Sequence, residues 1–166
     1  MSEVSFNYED ILGTQVSEKD FSNDHYAFSI GPLNFVLPAG IFCEYLTHID
    51  AAALPHSPSH LVGLTNHRGN ILPVYNLSIF ANATMKVGKN YLLIGEKNSA
   101  IILCINDKPK RVSIDNASKK LLANNKNTLP VYFDGCFSES LEIENAIWHR
   151  IIPEIFFSRL ASNHSL

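Results

Sequence analysis

The side chains able to do chemistry are few and poorly grouped. His56 and His60 stand four apart in HSPSH, a spacing that on a helix could bind a metal ion. Pro58 lies between them and disfavours a helix, and no third ligand is evident, so the pair reads as solvated loop histidines. His48, His67 and His149 are scattered and suggest no Cys–His or Ser–His pairing, although such a pair is completed by tertiary contact. Cys43, Cys104 and Cys136 are odd in number, far apart and without a CxxC, which reads as three small buried hydrophobes rather than a disulfide framework or zinc site. There is no GxSxG, P-loop, HExxH or GxGxxG. No catalytic residue, metal or cofactor is therefore expected.

Two charges stand out by position. Glu44 interrupts the apolar run IFCEYL, and Arg68 lies in a polar turn, NHRGN, between apolar segments. Each has an ordinary reading: Glu44 on a solvent face beside buried Cys43 and Tyr45, Arg68 as an exposed turn cation. The functional reading is an ion pair at a lobe surface. Arginine can hold a carboxylate through two parallel hydrogen bonds, which fixes orientation as well as charge.

The elements that must position these residues are short strands. HYAFSI and LNFVLP flank Gly31-Pro32 as a hairpin, and Ile41 to Leu46 forms a further strand. The segment DAAALPHSPSHLVG is a loop. Leu61 to Leu64 begins an apolar stretch, Asn66 to Asn70 turns around Gly69, and ILPVYNL follows, with Pro73 suggesting an edge or bulge. YLLIGE and SAIILCIN flank a Lys97-Asn98 turn. KRVSID is a strand, Ala117 to Asn125 a short helix or turn, and LPVYFDGCFSES a β-rich stretch with a turn at Asp134-Gly135. IIPEIFFSRL, with Pro153 near its start, predicts a terminal helix. Residues 1–23 are an acidic tail or a short helix with Phe6, Ile11, Leu12 and Val16 on one face. Many short strands punctuated by Gly and Pro point to small barrels or a sandwich.

Composition bounds the function classes. Apolar residues are 46% of the 166 and charged residues 17%, enough for a packed interior in one domain or two small lobes sharing a core. The net charge is −3 with no basic stripe, which argues against nucleic acid as a partner. No apolar run approaches the roughly 18 residues of a membrane span, and the acidic N-terminus lacks the features of a signal peptide. A cytoplasmic protein without direct membrane insertion is expected.

LPHSPSHLVGLTNHRGNILPVYNL resembles the signature of the CheW-like family: a Pro-containing loop, an apolar-Gly-apolar step, Asn-x-Arg-Gly, then an apolar-Pro-apolar strand. Pro55, Pro58, Gly63, Asn66, Arg68, Gly69, Pro73 and Leu77 fall in place. Upstream, FSIGPLNFVLPAGIFCEYL resembles the family's first hairpin and next strand, with Glu44 at the family's glutamate position. The match covers roughly Asp24 to Leu77 well and the second half in outline. It implies a mostly β fold of two small SH3-like five-stranded barrels packed on a shared apolar interface, with short helices at the termini. The implied domain is 24–160, with a first lobe about 30–85, a second about 88–150 to which the N-terminal strand could contribute, and a tail at 161–166.

The resemblance also implies a role: a non-enzymatic adaptor coupling a chemoreceptor's cytoplasmic tip to the regulatory domain of a CheA-type histidine kinase, recruited to membrane-associated receptor arrays. A receptor helix would enter a groove between the lobes. Ile41, Phe42 and Leu64 would be groove residues, Glu44, Asn66 and Arg68 would orient the partner, and Gly63 would permit close approach. The closing FDGCFSES and AIWHRIIPEIFFSRL resemble the PilI branch, which serves type IV pili and twitching motility. Two rivals stay open. One is a small β-barrel ligand-binding module or enzyme with a pocket around His56, His60 and His67. The other is a regulatory fragment that competes for the kinase.

Overall fold

Strands form where β-formers alternate, and they stop at Gly, Pro and Asn. The computed structural model describes residues 24–83, 89–114, 120–121 and 129–162. Five strands come first: β1 (Asp24–Ile30), β2 (Leu33–Leu37), β3 (Cys43–Leu46), β4 (Leu61–His67) and β5 (Asn70–Tyr75). Then follow β6 (Tyr91–Ile94), β7 (Ile101–Cys104), β8 (Lys110–Ser113), β9 (Lys120–Leu121), β10 (Phe137–Ile143), β11 (Ala146–Ile151) and the helix α1 (Pro153–Ala161). No helix among the described residues is long and apolar enough to cross a membrane. The expected N-terminal helix lies outside the described residues, as does most of the expected tail at 161–166.

The strands make two sheets, six-stranded in the order β8-β1-β2-β11-β10-β9 and five-stranded in the order β3-β6-β7-β5-β4. The fold is thus mostly β in two lobes, as expected, but chain order does not divide them. The first hairpin belongs with the C-terminal strands, because β2 pairs in parallel with β11, Phe35 opposite His149 and Val36 opposite Arg150. Conversely β6 and β7 belong with β3 to β5. In place of the lobe ranges 30–85 and 88–150, one lobe holds β1, β2 and β8 to β11, the N-terminal strand contributing as allowed for, and the other holds β3 to β7. The cause is pairing across sequence distance, which local alternation does not encode.

Side-chain alternation then builds three apolar layers. Phe28, Ile30, Leu33, Phe35 and Leu37 of one sheet meet Tyr75, Leu92, Ile94, Ile101 and Leu103 of the other in a single buried cluster. Alternate residues fill each lobe's own interior: Leu72, Val74, Tyr91, Leu93, Ile102 and Cys104 in one, Ala27, Val36 and Leu141 in the other. β6 and β7 are buried at every residue, which explains why YLLI and IILC are continuous apolar runs rather than alternating ones.

Three local expectations change. Pro73 does not mark an edge, since β5 lies between β7 and β4. It precedes Val74 and Tyr75, the two residues paired with β7, so its missing N–H is not needed there. The segment 131–133 is a 3-10 turn rather than strand, because Phe133 is drawn into the shared layer. Arg159 of α1 clamps that turn, its guanidinium donating to the carbonyls of Tyr132 at 2.9 Å and Asp134 at 3.1 Å. Within 117–125, Lys120 and Leu121 are strand paired with β10 rather than helix, and the rest of that segment lies outside the described residues. The terminal helix forms as expected, with Pro153 in its first turn and Phe156 and Leu160 buried.

Two histidines are buried in this frame. His149 is 4% exposed, with Nδ1 2.9 Å from the Ser140 hydroxyl. His60 is 6% exposed, its ring 5.2 to 5.7 Å from those of Phe80, Tyr132 and Tyr75. Burial pushes both imidazoles below the ordinary 6.5, the backbone at Leu160 partly opposing this for His60. The unfolded chain then binds more protons than the folded one just below that value. The stability from keeping these rings neutral is present above about pH 6.5 and is lost as pH falls. The melting temperature should fall between pH 7 and pH 5, and His149→Gln should flatten that slope in thermal denaturation.

Candidate functional site

The β4–β5 turn closes in two residues, as does the β10–β11 turn at Glu144-Asn145, and it carries a poorly suited residue. His67 pairs with Asn70, so Arg68 and Gly69 are the two turn residues, with φ of 50° and 83°. Two positive φ values define a type I′ turn, which favours Asn-Gly. Asn66 holds the turn, its Oδ1 accepting the Gly69 N–H at 3.0 Å. An arginine in the left-handed region costs roughly 1–2 kcal/mol.

What Arg68 gains is Glu44. Its Nη2 donates to Glu44 Oε1 at 2.8 Å, with side-chain exposures of 70% and 24%. An exposed pair of this kind is worth about 0.2–1 kcal/mol. The pair therefore does not repay the strained arginine in stability, and an Asn there would fold at least as well. This imbalance points to Arg68 serving something other than the fold.

The pair also reports the shape of the lobe. Glu44 is on β3, one edge of the five-stranded sheet, and Arg68 joins β4, the other edge, to β5. In a flat sheet three to four spacings of roughly 4.8 Å would separate them, more than the two side chains span. The sheet curls until its edges approach, and the ion pair lies across the mouth. Beneath the mouth is a cavity of about 250 Å³ lined by Phe42, Glu44, His67 and Arg68, with Leu72, Leu93 and Ala100 among its apolar walls. Gly95, Glu96 and Lys97 border it on the far side.

Period-two alternation sorts the expected site residues. Ile41, Cys43 and Tyr45 pack against the shared layer, whereas Phe42 and Glu44 face the mouth. On β4, Gly63 and Thr65 are buried with His67 next in phase, while Leu64 and Asn66 fall on the other face and do not line the cavity. The structure thus brings together Phe42, Glu44 and Arg68. It does not bring Ile41, Leu64 or Asn66 to the same opening, which belongs to one lobe rather than to a groove between the lobes.

Gly63 has an internal task. A Cβ there would lie 2.3 Å from the Ala52 carbonyl oxygen. The loop before β4 crosses at that point, with Ala52 N–H donating to Leu64 O at 2.8 Å and Leu64 N–H to Ala52 O at 2.9 Å. The close approach is thus of the chain to itself.

From the sequence His67 was named only in the rival pocket with His56 and His60, although its phase with Thr65 could have shown it facing inward beside Glu44. Its Nε2 is buried without a hydrogen-bond partner, 3.5 Å from Glu44 Oε2, a contact that becomes an ion pair only when the ring is protonated. The other histidines are elsewhere. His56 is exposed on its loop and His60 is enclosed by aromatic rings, not solvated as expected, because the bend at Pro58 turns it inward, Leu61 N–H donating to Pro58 O at 3.0 Å. A pocket shared by His56, His60 and His67 does not exist here. Among the described residues no cluster of three His, Cys, Asp or Glu could hold a metal. Cys104 and Cys136 are buried and Cys43 is half-buried; burial raises all three thiols, Cys104 to about 12, which disfavours the thiolate form.

Comparison with known proteins places this geometry. A family model described as "CheW-like domain" matches residues 25–135. Protein FrzA of Myxococcus xanthus is 30% identical over 80 residues, 47% of this chain and 50% of that protein. The chain thus spans half the length of that curated relative. The crystal structure of scaffolding protein TtCheW from Thermoanaerobacter tengcongensis superposes with a TM-score of 0.61 at 16% identity, covering 78% of this chain and 88% of that one. That likeness is one of fold.

Two variants test the local physics. Gly63→Ala should cost roughly 2–4 kcal/mol in denaturant unfolding, since the added methyl must displace the Ala52 backbone and both its hydrogen bonds. Arg68→Asn should leave the unfolding free energy unchanged or raise it by up to about 1 kcal/mol, because it relieves the strained turn residue.

Proposed function

This chain belongs to the CheW-like family, and from that premise we propose that it is a non-catalytic adaptor coupling a chemoreceptor's cytoplasmic tip to the regulatory domain of a CheA-type histidine kinase. The observation that carries this reading is Arg68, kept in a conformation that costs more than its ion pair with Glu44 returns. A residue held against stability at an exposed mouth is suited to recognition, where orientation counts more than net folding energy. Phe42, 48% exposed beside the pair, supplies apolar contact, and Glu44 fixes the guanidinium. Gly63 and Asn66 act as positioning residues, one seating the loop before β4 and the other holding the turn. Half-buried Ile41 and Leu64 face away from the mouth and offer a partner apolar surface outside it. The adaptor works in the cytoplasm and reaches the membrane through receptor arrays. The kinase packs barrel against barrel on exposed strand ends.

The finer assignment is to a chemosensory system of type IV pili and twitching motility. Its support is the Asp134-Gly135 turn, Trp148 and the apolar α1, which resemble the PilI branch. Arg159 of α1 fastens the turn, while Trp148 packs on a separate cluster of Ala27, Val36, Ile114 and Leu141. Deletion of the gene should abolish twitching and leave swimming intact. Loss of swimming alone would remove the pilus assignment.

A pull-down with a receptor signalling fragment and the kinase regulatory domain should recover both with the wild-type chain. Arg68→Asn should lower receptor binding about 10-fold with kinase binding and melting temperature unchanged. A wild-type chain that retains neither partner would sink the adaptor reading, and binding to kinase alone would favour a competitor of coupling.

A further inference from the structure

The two lobes meet through an apolar layer, and apolar burial follows area rather than direction. The layer therefore holds the lobes together more firmly than it fixes the angle between them. Hydrogen bonds weaken steeply when bent, so a set of them across the same boundary fixes orientation far more sharply. Such a set lies at Asn106, where the chain leaves β7 of one lobe for β8 of the other.

The first hairpin turns on Gly31 and Pro32, between the paired residues Ile30 and Leu33. In a two-residue turn the N–H and C=O of the first turn residue point away from the ladder and are ordinarily left to water. Here one side chain takes both. Asn106 Oδ1 accepts the Gly31 N–H at 2.8 Å, and Nδ2 donates to Gly31 O at 2.7 Å. The Asn106 backbone N–H adds a third bond, to Ser29 O at 2.9 Å. Asn106 is held on the five-stranded lobe by Asn90, the residue before β6. Asn90 Nδ2 donates to Asn106 O at 2.7 Å, Asn90 O accepts the Ile105 N–H at 3.1 Å, and Asn90 Oδ1 accepts the Tyr45 hydroxyl of β3 at 2.6 Å. On the six-stranded lobe the Ser29 hydroxyl donates to Asn34 Oδ1 at 2.7 Å, and Asn34 Nδ2 donates to Ile147 O of β11 at 3.2 Å.

A strap of hydrogen bonds thus runs from β3, an edge of one sheet, to β11 within the other. The side-chain oxygen and nitrogen of Asn34, Asn90 and Asn106 are all engaged, and the three residues are half-buried. A polar network satisfied in this way rigidifies its surroundings and specifies one arrangement. The hairpin turn has little slack of its own, since a Cβ on Gly31 would lie 3.1 Å from the Ala83 Cβ. We propose that Asn106 locks the orientation of the two lobes: without its side chain both lobes stay folded, but they rock against one another on the apolar layer. This goes beyond the adaptor reading and does not depend on it. Asn106 is a positioning residue, and whatever the chain binds across both lobes meets the angle that Asn106 sets.

Amide residual dipolar couplings of the full chain in a weakly aligning medium report the angle directly. In the wild type a single alignment tensor should fit β1, β2, β10 and β11 together with β3 to β7. In Asn106→Ala each set of strands should still fit this structure as well as before, and the common tensor should be lost. If Asn106 only adds stability, the melting temperature falls while the common tensor stays, and that result overturns the proposal. A wild type that already needs two tensors overturns it too, because the strap then fixes nothing. Loss of fit within either lobe would make Asn106 a residue of the fold itself and would also overturn it. Should Asn106→Ala fail to fold, Asn106→Asp decides. It keeps the size of the side chain and the acceptor for the Gly31 N–H, and it replaces the donor to Gly31 O by an oxygen. Loss of the common tensor is expected there as well, and a common tensor overturns the proposal.

Discussion

The structure depends on one apolar layer shared by both sheets. Phe35 is fully buried there, with rings of Phe28, Phe137, Phe133 and Phe156 between 5.5 and 6.2 Å away. Those five rings come from the first hairpin, the segment before β10, β10 itself and the terminal helix. Neither sheet can bury this face alone, so the lobes fold as partners rather than as beads on a chain. The layer also explains the crossed connectivity. The first hairpin must lie against β11 to deliver Phe35, and the chain then passes to the other lobe and returns.

Given that layer, the five-stranded sheet is fixed on one face and free to curl on the other. Curling buries Leu72, Leu93 and Ile102 inside and brings the β3 edge toward the β4–β5 turn. The Glu44–Arg68 pair spans the opening that curling leaves. Its modest energy cannot cause the curvature, which apolar burial drives. The charges decorate a mouth already shaped by the core, and they keep one guanidinium pointed outward in a defined pose. Alternation separates roles along the same strands. Residues of one parity build the shared layer and their neighbours line the mouth.

Much of this was legible in the sequence. The hairpin at Gly31-Pro32, the turn at Gly69, the buried runs YLLI and IILC and the helix at Pro153 are local patterns and were read correctly. The coupling of Glu44 to Arg68 was raised from their positions and gained weight from the family pattern, since 24 positions separate them. The place of His67 beside Glu44 was not read, because a histidine beside a turn looks solvated until strand phase is known. His60 escaped for a related reason: a proline-rich loop gives no sign that it folds its last histidine under aromatic rings.

The sequence by itself determined the kind of elements, their turns and the residues able to pair, because each depends on neighbours within a few positions. It also placed Arg68 in a polar turn, as an exposed cation or one half of an ion pair with Glu44. Which strands share a sheet, which parity of each strand meets the partner lobe, and whether Leu64 or His67 faces the mouth were decided only by tertiary structure. These depend on pairings such as β2 with β11, more than a hundred residues apart, whose free energy arises when both faces of both sheets are buried together.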